Sequence, residues 1–192
     1  MSKHLVLVGG GHAHMVTLKH LHTFIEKGYR VTVIQPSKFH YYSGMGPGML
    51  SKTYSPDDIR FTTEHVVAQQ CANFILDKVV KVDPTNKTVF LETGEPINYD
   101  VISFNAGSYV PWSQVTGEHT DIFSVKPIET LLQAQARILE LVSQKKITVG
   151  IVGGGPSSLE IAGNTWQLAR DTKGHMPEIT IFAGRRLMSR FP

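Results

Sequence analysis

The chain has 192 residues, of which 41% are hydrophobic, and carries a formal net charge of +3 from 19 basic and 16 acidic residues. This composition supports a folded core, and the near-balance of charge does not indicate nucleic-acid binding. No apolar run approaches the roughly 18 residues that span a bilayer, and the N-terminus lacks the pattern of a secretory signal. We therefore predict a cytoplasmic protein, or one that only touches a membrane, with no nucleic acid as a partner.

The number of cysteines and the spacing of histidines limit the redox groups and metal sites that this sequence can form. The single cysteine, Cys71, cannot form an internal disulfide, which excludes the redox-active Cys pair of dithiol-disulfide reductases, and we expect it to be buried on a helix over 63–72. Hydride chemistry would then have to pass through a cofactor. His12 and His14, like His20 and His22, are two residues apart, whereas metal-binding pairs on a helix are three or four apart. We predict no metal site.

A strand, a glycine-rich turn and a helix follow one another at the start of the chain. Aliphatic residues 5–8 predict a buried parallel strand, Gly9, Gly10 and Gly11 a turn, and the next residues a helix from about 12 to 27. This order is typical of a dinucleotide-phosphate cradle, in which backbone N–H groups and the helix dipole face the pyrophosphate. His14 stands at the position of the third glycine, which predicts either altered packing or a side chain directed at the ligand.

The same pattern occurs again about 140 residues later. An apolar strand over 147–152 precedes Gly153, Gly154 and Gly155, and Pro156-Ser157-Ser158 opens a helix to about residue 170. Ser158 replaces the third glycine and is small enough for the same close packing. Two cradles predict two nucleotides bound by two related units.

The residue after the second strand of each unit bears on nucleotide choice. Gln35 follows the strand over 29–34, where an acidic residue often binds the adenosine ribose; Gln35 either contacts these hydroxyls or is a solvent-facing strand end. Arg185 and Arg186 follow the strand over 179–182, and two arginines without a carboxylate slightly favour NADPH. Exposed surface arginines are an equal alternative.

Between the cradles, residues 39–50 combine three glycines, a proline and a cluster of aromatic side chains. This segment is too broken for an ordinary helix or strand, and we predict a loop beside a cofactor ring, with a packed Ω-type loop as the alternative. Strands are predicted over 74–76, 79–82, 88–91 and 100–104, and a helix over 127–145. The strand over 100–104 ends at Asn105-Ala106-Gly107-Ser108, which places this turn at the ligand-binding edge of the sheet.

The order of these features resembles the pyridine nucleotide-disulfide oxidoreductase superfamily of flavoproteins with two dinucleotide-binding domains. Residues 7–14 with 42–48 look most like the branch of type II NADH dehydrogenases, sulfide:quinone reductases and flavoprotein partners of selenophosphate synthetase. The resemblance implies an α/β fold, with a Rossmann-like FAD domain of parallel sheet and β-meander over 1–115. The first βαβ unit of an NAD(P)H domain would occupy 116–192.

The resemblance also implies a set of cofactor-binding residues. FAD would be bound by its pyrophosphate at Gly9, Gly10, Gly11, His12, Ala13 and His14, near its ribose at Gln35, Pro36 and Ser37, at its adenine by Val79, and at its flavin by Ser43, Asn105, Ala106 and Gly107. Ala106 replaces the threonine of the family's A-T-G-S motif. NAD(P)H would be bound by Gly153, Gly155, Pro156, Ser157 and Ser158, with Glu160 near the junction of flavin and nicotinamide.

The function implied is hydride transfer from NAD(P)H to FAD and on to a quinone or another small acceptor. No side chain is an obvious acid, base or nucleophile, so no catalytic residue is assigned. A flavin- or nucleotide-binding protein without turnover and a dehydrogenase that uses NAD alone are the alternatives. The sequence stops one βαβ unit into the second domain, so we expect a fragment or a shortened form. Exposed apolar sheet edges would then favour homo-oligomers or marginal stability.

Overall fold

The computed structural model describes residues 2–111, 115–184 and 186–188. The chain forms two compact units, residues 1–40 with 60–107 and residues 41–59 with 108–192. This division differs from the boundary expected at 115/116, since the chain passes into the second unit at residue 108 and also contributes residues 41–59 to it.

The helices and strands follow in chain order. The described α-helices are α1 His12–Lys19, α2 His22–Glu26, α3 Gly46–Leu50, α4 Pro56–Ile59, α5 Thr63–Gln69, α6 Thr130–Gln144 and α7 Pro156–Asp171. The described strands are β1 His4–Val8, β2 Arg30–Gln35, β3 Phe39–Tyr41, β4 Arg60–Thr62, β5 Asn73–Leu76, β6 Val79–Asp83, β7 Thr88–Leu91, β8 Ile97–Asn98, β9 Val101–Phe104, β10 Thr148–Val152 and β11 Glu178–Phe182.

The first unit is built on a four-stranded parallel sheet in the order β5-β2-β1-β9. Alternate residues of β1 enter two cores: Leu5 and Leu7 pack with Leu18 and Leu21, whereas Val6 and Val8 pack with a second cluster that includes Val89. Val89 belongs to the antiparallel meander β6-β7-β8, which thus covers one face of the sheet. The predicted α/β class, with parallel sheet and β-meander, is confirmed.

Two helical predictions in this unit need correction. The helix expected over 12–27 is two helices, because the chain turns tightly at residues 20–21, where the His20 N–H donates to the Thr17 carbonyl at 2.9 Å. Helix α5 ends at Gln69 rather than at residue 72, and Cys71 lies beyond it with φ of 57°. Cys71 is exposed, not buried as expected, because it stands in the turn that leads into β5.

The second unit contains the parallel pair β10-β11 with α6 and α7. Residues 39–50, expected to be a loop without ordinary helix or strand, instead form β3 over Phe39–Tyr41, a 3-10 helix over Ser43–Met45 and then α3. Pro47 stands in the first turn of α3, where its missing N–H leaves no helical bond unmade. Helix α3 is held by burial of Met49 and Leu50 and by the Gln135 side chain, whose amide donates to the Met49 carbonyl at 2.6 Å.

Candidate functional site

The first cradle connects β1 to α1. Gly9 has φ of 84°, and its N–H donates to the Ile34 carbonyl at 2.8 Å. A Cβ atom at Gly9 would lie 2.2 Å from the Asn105 carbonyl oxygen, and one at Gly11 would lie 2.2 Å from Asn105 Oδ1. The structure thus brings the predicted phosphate turn and the predicted flavin motif into contact. Gly9 is therefore required by its contact with backbone atoms, whereas the nearest neighbour of Gly11 is the end of the Asn105 side chain.

His14 faces the protein interior. It is buried, with Nδ1 2.6 Å from the Gly9 carbonyl oxygen and Nε2 2.8 Å from Ser103 Oγ on β9. A carbonyl oxygen can only accept, so Nδ1 carries a proton, and in the neutral ring Nε2 accepts from the serine hydroxyl. Of the two predicted possibilities, the structure shows altered packing, with a polar link between turn and sheet in place of a glycine.

Gln35 is likewise buried at the end of β2. Its Oε1 accepts the Gly10 N–H at 2.9 Å, and its Nε2 donates to the carbonyls of Ser37 at 2.7 Å and Phe39 at 2.9 Å. The solvent-facing alternative is therefore wrong. Both amide hydrogens are used within the protein, so the side chain has no donor left for a ribose hydroxyl. Pro36 is exposed and Ser37 half-buried.

The beginning of α1 is open to solvent. Gly11 caps the helix without a side chain, His12 and Ala13 are exposed, and the first turn contains no acidic residue. The first N–H groups of a helix lack intrahelical acceptors and form a partial positive charge, so this end of α1 is suited to a phosphate.

Two residues near this end of α1, His40 and Thr63, are not predicted from the sequence. The His40 ring lies 5.7 Å from the His12 ring and 5.2 Å from the Phe61 ring, between centroids. Burial, and secondarily the charge of His12, lower the pKa of His40. Thr63 is fully buried, and its side chain lies against Gly10. No motif marks His40 or Thr63, because only the chain's path after β2 brings them to the cradle.

The second cradle, between β10 and α7, is more open. Gly153 has φ of 135°, and its N–H donates to the Phe182 carbonyl at 3.0 Å. A Cβ atom at Gly153 or Gly155 would meet no described atom within 4 Å. Ser158 is buried at the third-glycine position, and its hydroxyl donates to the Gly155 carbonyl at 2.6 Å. Pro156, Ser157 and Glu160 are exposed along the start of α7.

The remaining predicted residues are distributed over both units. Val79 is half-buried on β6 and packs against the core cluster of Val6 and Val8, while Ala106 and Gly107 are exposed, the latter with φ of 78°. Ser43 belongs to the second unit. Arg186 is exposed, and Arg185 lies outside the described residues.

The described residues also bear on metal binding and on membrane insertion. Within residues 2–111, 115–184 and 186–188, no three His, Cys, Asp or Glu side chains are grouped so that they could hold a metal ion. No helix in the described part of the chain combines the length and apolar character needed to cross a bilayer.

Comparison with known proteins gives relatives over the whole chain. The chain is 25% identical over 192 residues to the NADH dehydrogenase-like protein YutJ of Bacillus subtilis, covering 99% of this chain and 51% of that protein. It is 23% identical over 155 residues to the sulfide-quinone reductase of Aquifex aeolicus, covering 80% and 36%. Among solved structures, NDH2 from Plasmodium falciparum superposes with a TM-score of 0.78 at 18% identity, covering 100% of this chain and 44% of that one.

The chain therefore spans about half or less of the length of the proteins that it matches. The family match nonetheless runs through both cradles, from residue 3 to residue 192. The two relatives are named as an NADH dehydrogenase-like protein and a sulfide-quinone reductase, so both are named as oxidoreductases. The chain belongs to the pyridine nucleotide-disulphide oxidoreductase family.

Proposed function

We propose that this protein is an FAD-dependent oxidoreductase that takes hydride from NAD(P)H and passes electrons to a quinone or another small acceptor. The observation that carries this proposal is the presence of two strand-glycine-helix cradles, each ending at a helix N-terminus capped by glycine, Gly11 for α1 and Gly155 for α7. A protein that used one nucleotide would need only one of them.

The described residues fit the two cofactors. In the first unit, the N–H groups of His12 and Ala13 at the start of α1 are suited to the FAD pyrophosphate, and the exposed turn at Ala106 and Gly107 to the flavin. In the second unit, no described atom lies within 4 Å of a Cβ position at Gly153 or Gly155, which allows a pyrophosphate to approach the main chain closely. Glu160 is exposed on the first turns of α7, where it could contact the nicotinamide half.

When bound, FAD supplies the hydride and electron chemistry, and the residues described above bind and orient it. Cys71 is the sole cysteine of the sequence, so these residues contain no dithiol pair for disulfide reduction. A quinone acceptor is supported by the sulfide-quinone reductase relative. Such an acceptor would favour a cytoplasmic protein in peripheral contact with the inner face of a membrane.

The test is the visible absorption spectrum of the purified protein, recorded anaerobically before and after addition of NADH and then NADPH. A flavin spectrum that bleaches with one nucleotide supports hydride transfer and identifies the donor. A colourless protein that also fails to bind added FAD would overturn the proposal.

A second candidate is an FAD- or nucleotide-binding protein without turnover. The substituted third-glycine position of the first cradle favours it, because His14 bonds there to the protein itself and Gln35 also uses its hydrogen-bonding groups internally. Flavin that is retained but is not reduced by either nucleotide would support this candidate over the first.

A further inference from the structure

The contacts of Gln35 assign it a role that its position in the chain does not predict. The motif places a ribose ligand at the end of β2, yet Gln35 is only 6% exposed. Its Oε1 lies 2.9 Å from the Gly10 nitrogen, and a Cβ atom added to Gly10 would lie 2.5 Å from the same oxygen. The amide oxygen thus occupies the volume that a side chain at position 10 would fill.

The other end of the amide holds a different segment. Nε2 donates to the Ser37 and Phe39 carbonyls, which fixes the turn between β2 and β3. The same turn is held from the other side, because the Thr63 N–H at the start of α5 donates to the Lys38 carbonyl at 2.9 Å. One neutral side chain therefore links the glycine turn to the β2-β3 turn.

The hydrogen bond between Gly10 and Gln35 determines which backbone N–H groups can donate to a phosphate. Each backbone N–H carries one hydrogen, and that of Gly10 is directed at Gln35 rather than outward. The donors open to an anion are then those at the start of α1, beside exposed His12 and Ala13.

We propose that Gln35 is a positioning residue of the first cradle, which orients the Gly10 amide and the 37–39 turn and does not itself bind the adenosine ribose. The part that concerns FAD rests on the proposed function, whereas the link between Gln35 and Gly10 is a property of the protein alone.

The first experiment needs no cofactor. Hydrogen exchange of the Gly10 amide, followed by NMR or fragment mass spectrometry, is compared in the wild type, Q35A and Q35E. We expect faster exchange in Q35A, which removes the acceptor, and retained protection in Q35E, which keeps an oxygen there. Equal protection in all three proteins, with folding verified by circular dichroism, would overturn the proposal whether or not FAD binds.

The second experiment uses pH. In Q35E, an ionised carboxylate would face the Ser37 and Phe39 carbonyls without a hydrogen to donate, whereas the protonated acid supplies one O–H. We expect FAD to bind Q35E about tenfold more weakly than the wild type near pH 8. This deficit should shrink as the pH falls towards 5.5.

The control is Q69E, which makes the same change at an exposed residue at the end of α5, where no such pH-dependent deficit is expected. Tighter FAD binding by Q35E at pH 8 would instead show a carboxylate reaching the ribose and overturn the proposal. If the wild type binds no FAD, the proposed function fails, and the exchange experiment alone decides the role of Gln35.

A third measurement separates positioning from ribose binding directly. ADP and 2′-deoxy-ADP are compared as competitors of FAD in the wild type and in Q35A. If Gln35 only positions the cradle, Q35A weakens both competitors by the same factor and leaves their affinity ratio unchanged. A ratio that moves towards one in Q35A would show that Gln35 contacts the 2′-hydroxyl and would contradict the proposal.

Discussion

The two cradles share a motif but use their glycines differently. In the first, Cβ atoms at Gly9 and Gly11 would collide with Asn105 of the protein itself, and the third-glycine position holds a histidine bonded to β9. In the second, a Cβ atom at Gly153 or Gly155 would meet no described atom within 4 Å, and the Ser158 hydroxyl bonds to the neighbouring Gly155 carbonyl. A glycine pattern therefore does not itself reveal whether the small residue makes room for a ligand or for the rest of the fold.

The largest contrast is expected between Gly9→Ala and Gly155→Ala. Gly9→Ala places a Cβ 2.2 Å from a backbone oxygen at a residue with φ of 84°, so we expect it to lower the free energy of unfolding by about 3 kcal/mol. Gly155 has φ of −90° and no described atom within 4 Å of its Cβ position, and its loss as a helix N-cap should cost less than about 1 kcal/mol. Urea unfolding followed by circular dichroism measures both; equal losses would remove the distinction between the cradles.

The third-glycine residues should differ in the same direction. His14→Ala removes bonds to the Gly9 carbonyl and to Ser103 and leaves a buried cavity, for an expected loss of about 2 kcal/mol. Ser158→Ala removes one bond within the first turn of α7, for about 1 kcal/mol or less. The same unfolding assay applies, and a Ser158→Ala variant as unstable as His14→Ala would contradict this ranking.

The Gly155→Ala variant should change nucleotide affinity more than it changes the stability of the protein. Under the proposed function, Gly155→Ala inserts a methyl group where a pyrophosphate approaches, so the affinity for NADH or NADPH should fall about tenfold while the protein stays folded. Titration of nucleotide fluorescence measures this change, with Gly163→Ala, on the uncrowded middle of α7, as the matched control. Unchanged affinity would place the nucleotide elsewhere.

The smallest expected difference concerns the first residue of the strand that precedes each cradle, β1 or β10. His4 opens β1 as a buried side chain, with Nε2 2.8 Å from Thr32 Oγ1, whereas exposed Thr148 opens β10. Burial lowers the pKa of His4; the Asn98 carbonyl opposes this, the Arg30 charge adds to it, and Asp100 opposes it more weakly.

The sign of the pH effect follows from this lowered pKa. The unfolded chain, with a histidine pKa near 6.5, binds the proton more readily than the folded protein, so stability is complete above about pH 6.5 and falls as the pH drops towards the folded pKa. The slope is at most about 1.4 kcal/mol per pH unit for one proton. His4→Gln should reduce this slope in urea titrations between pH 7 and pH 5; an unchanged slope would rule out His4 as its source. His40, whose pKa is also lowered by burial, should leave a residual slope.

The amino-acid sequence by itself determined the fold class and the strand-turn-helix order of both cradles. Aliphatic runs before Gly9 and Gly153 and helical spacing after them require only local periodicity, and local periodicity is visible in one dimension. The helix over 127–145 and two strands of the meander, β6 and β7, were recognisable for the same reason. Local signals were weaker where residues 43–50 form a 3-10 turn and α3, because burial against α6 stabilises a segment whose glycines disfavour a helix.

Only the tertiary structure decided what the polar residues of the first cradle do. His14 and Gln35 stand where the motif predicts ligand contacts, but the partners that turn them inward are Ser103, 89 residues away in sequence, and the chain reversal at 37–39. Asn105 fills the space beside Gly9 and Gly11 because β9 is the neighbour of β1 in the sheet. Strand order is a long-range property, and hydrogen-bond partners across it leave no periodic trace in the sequence.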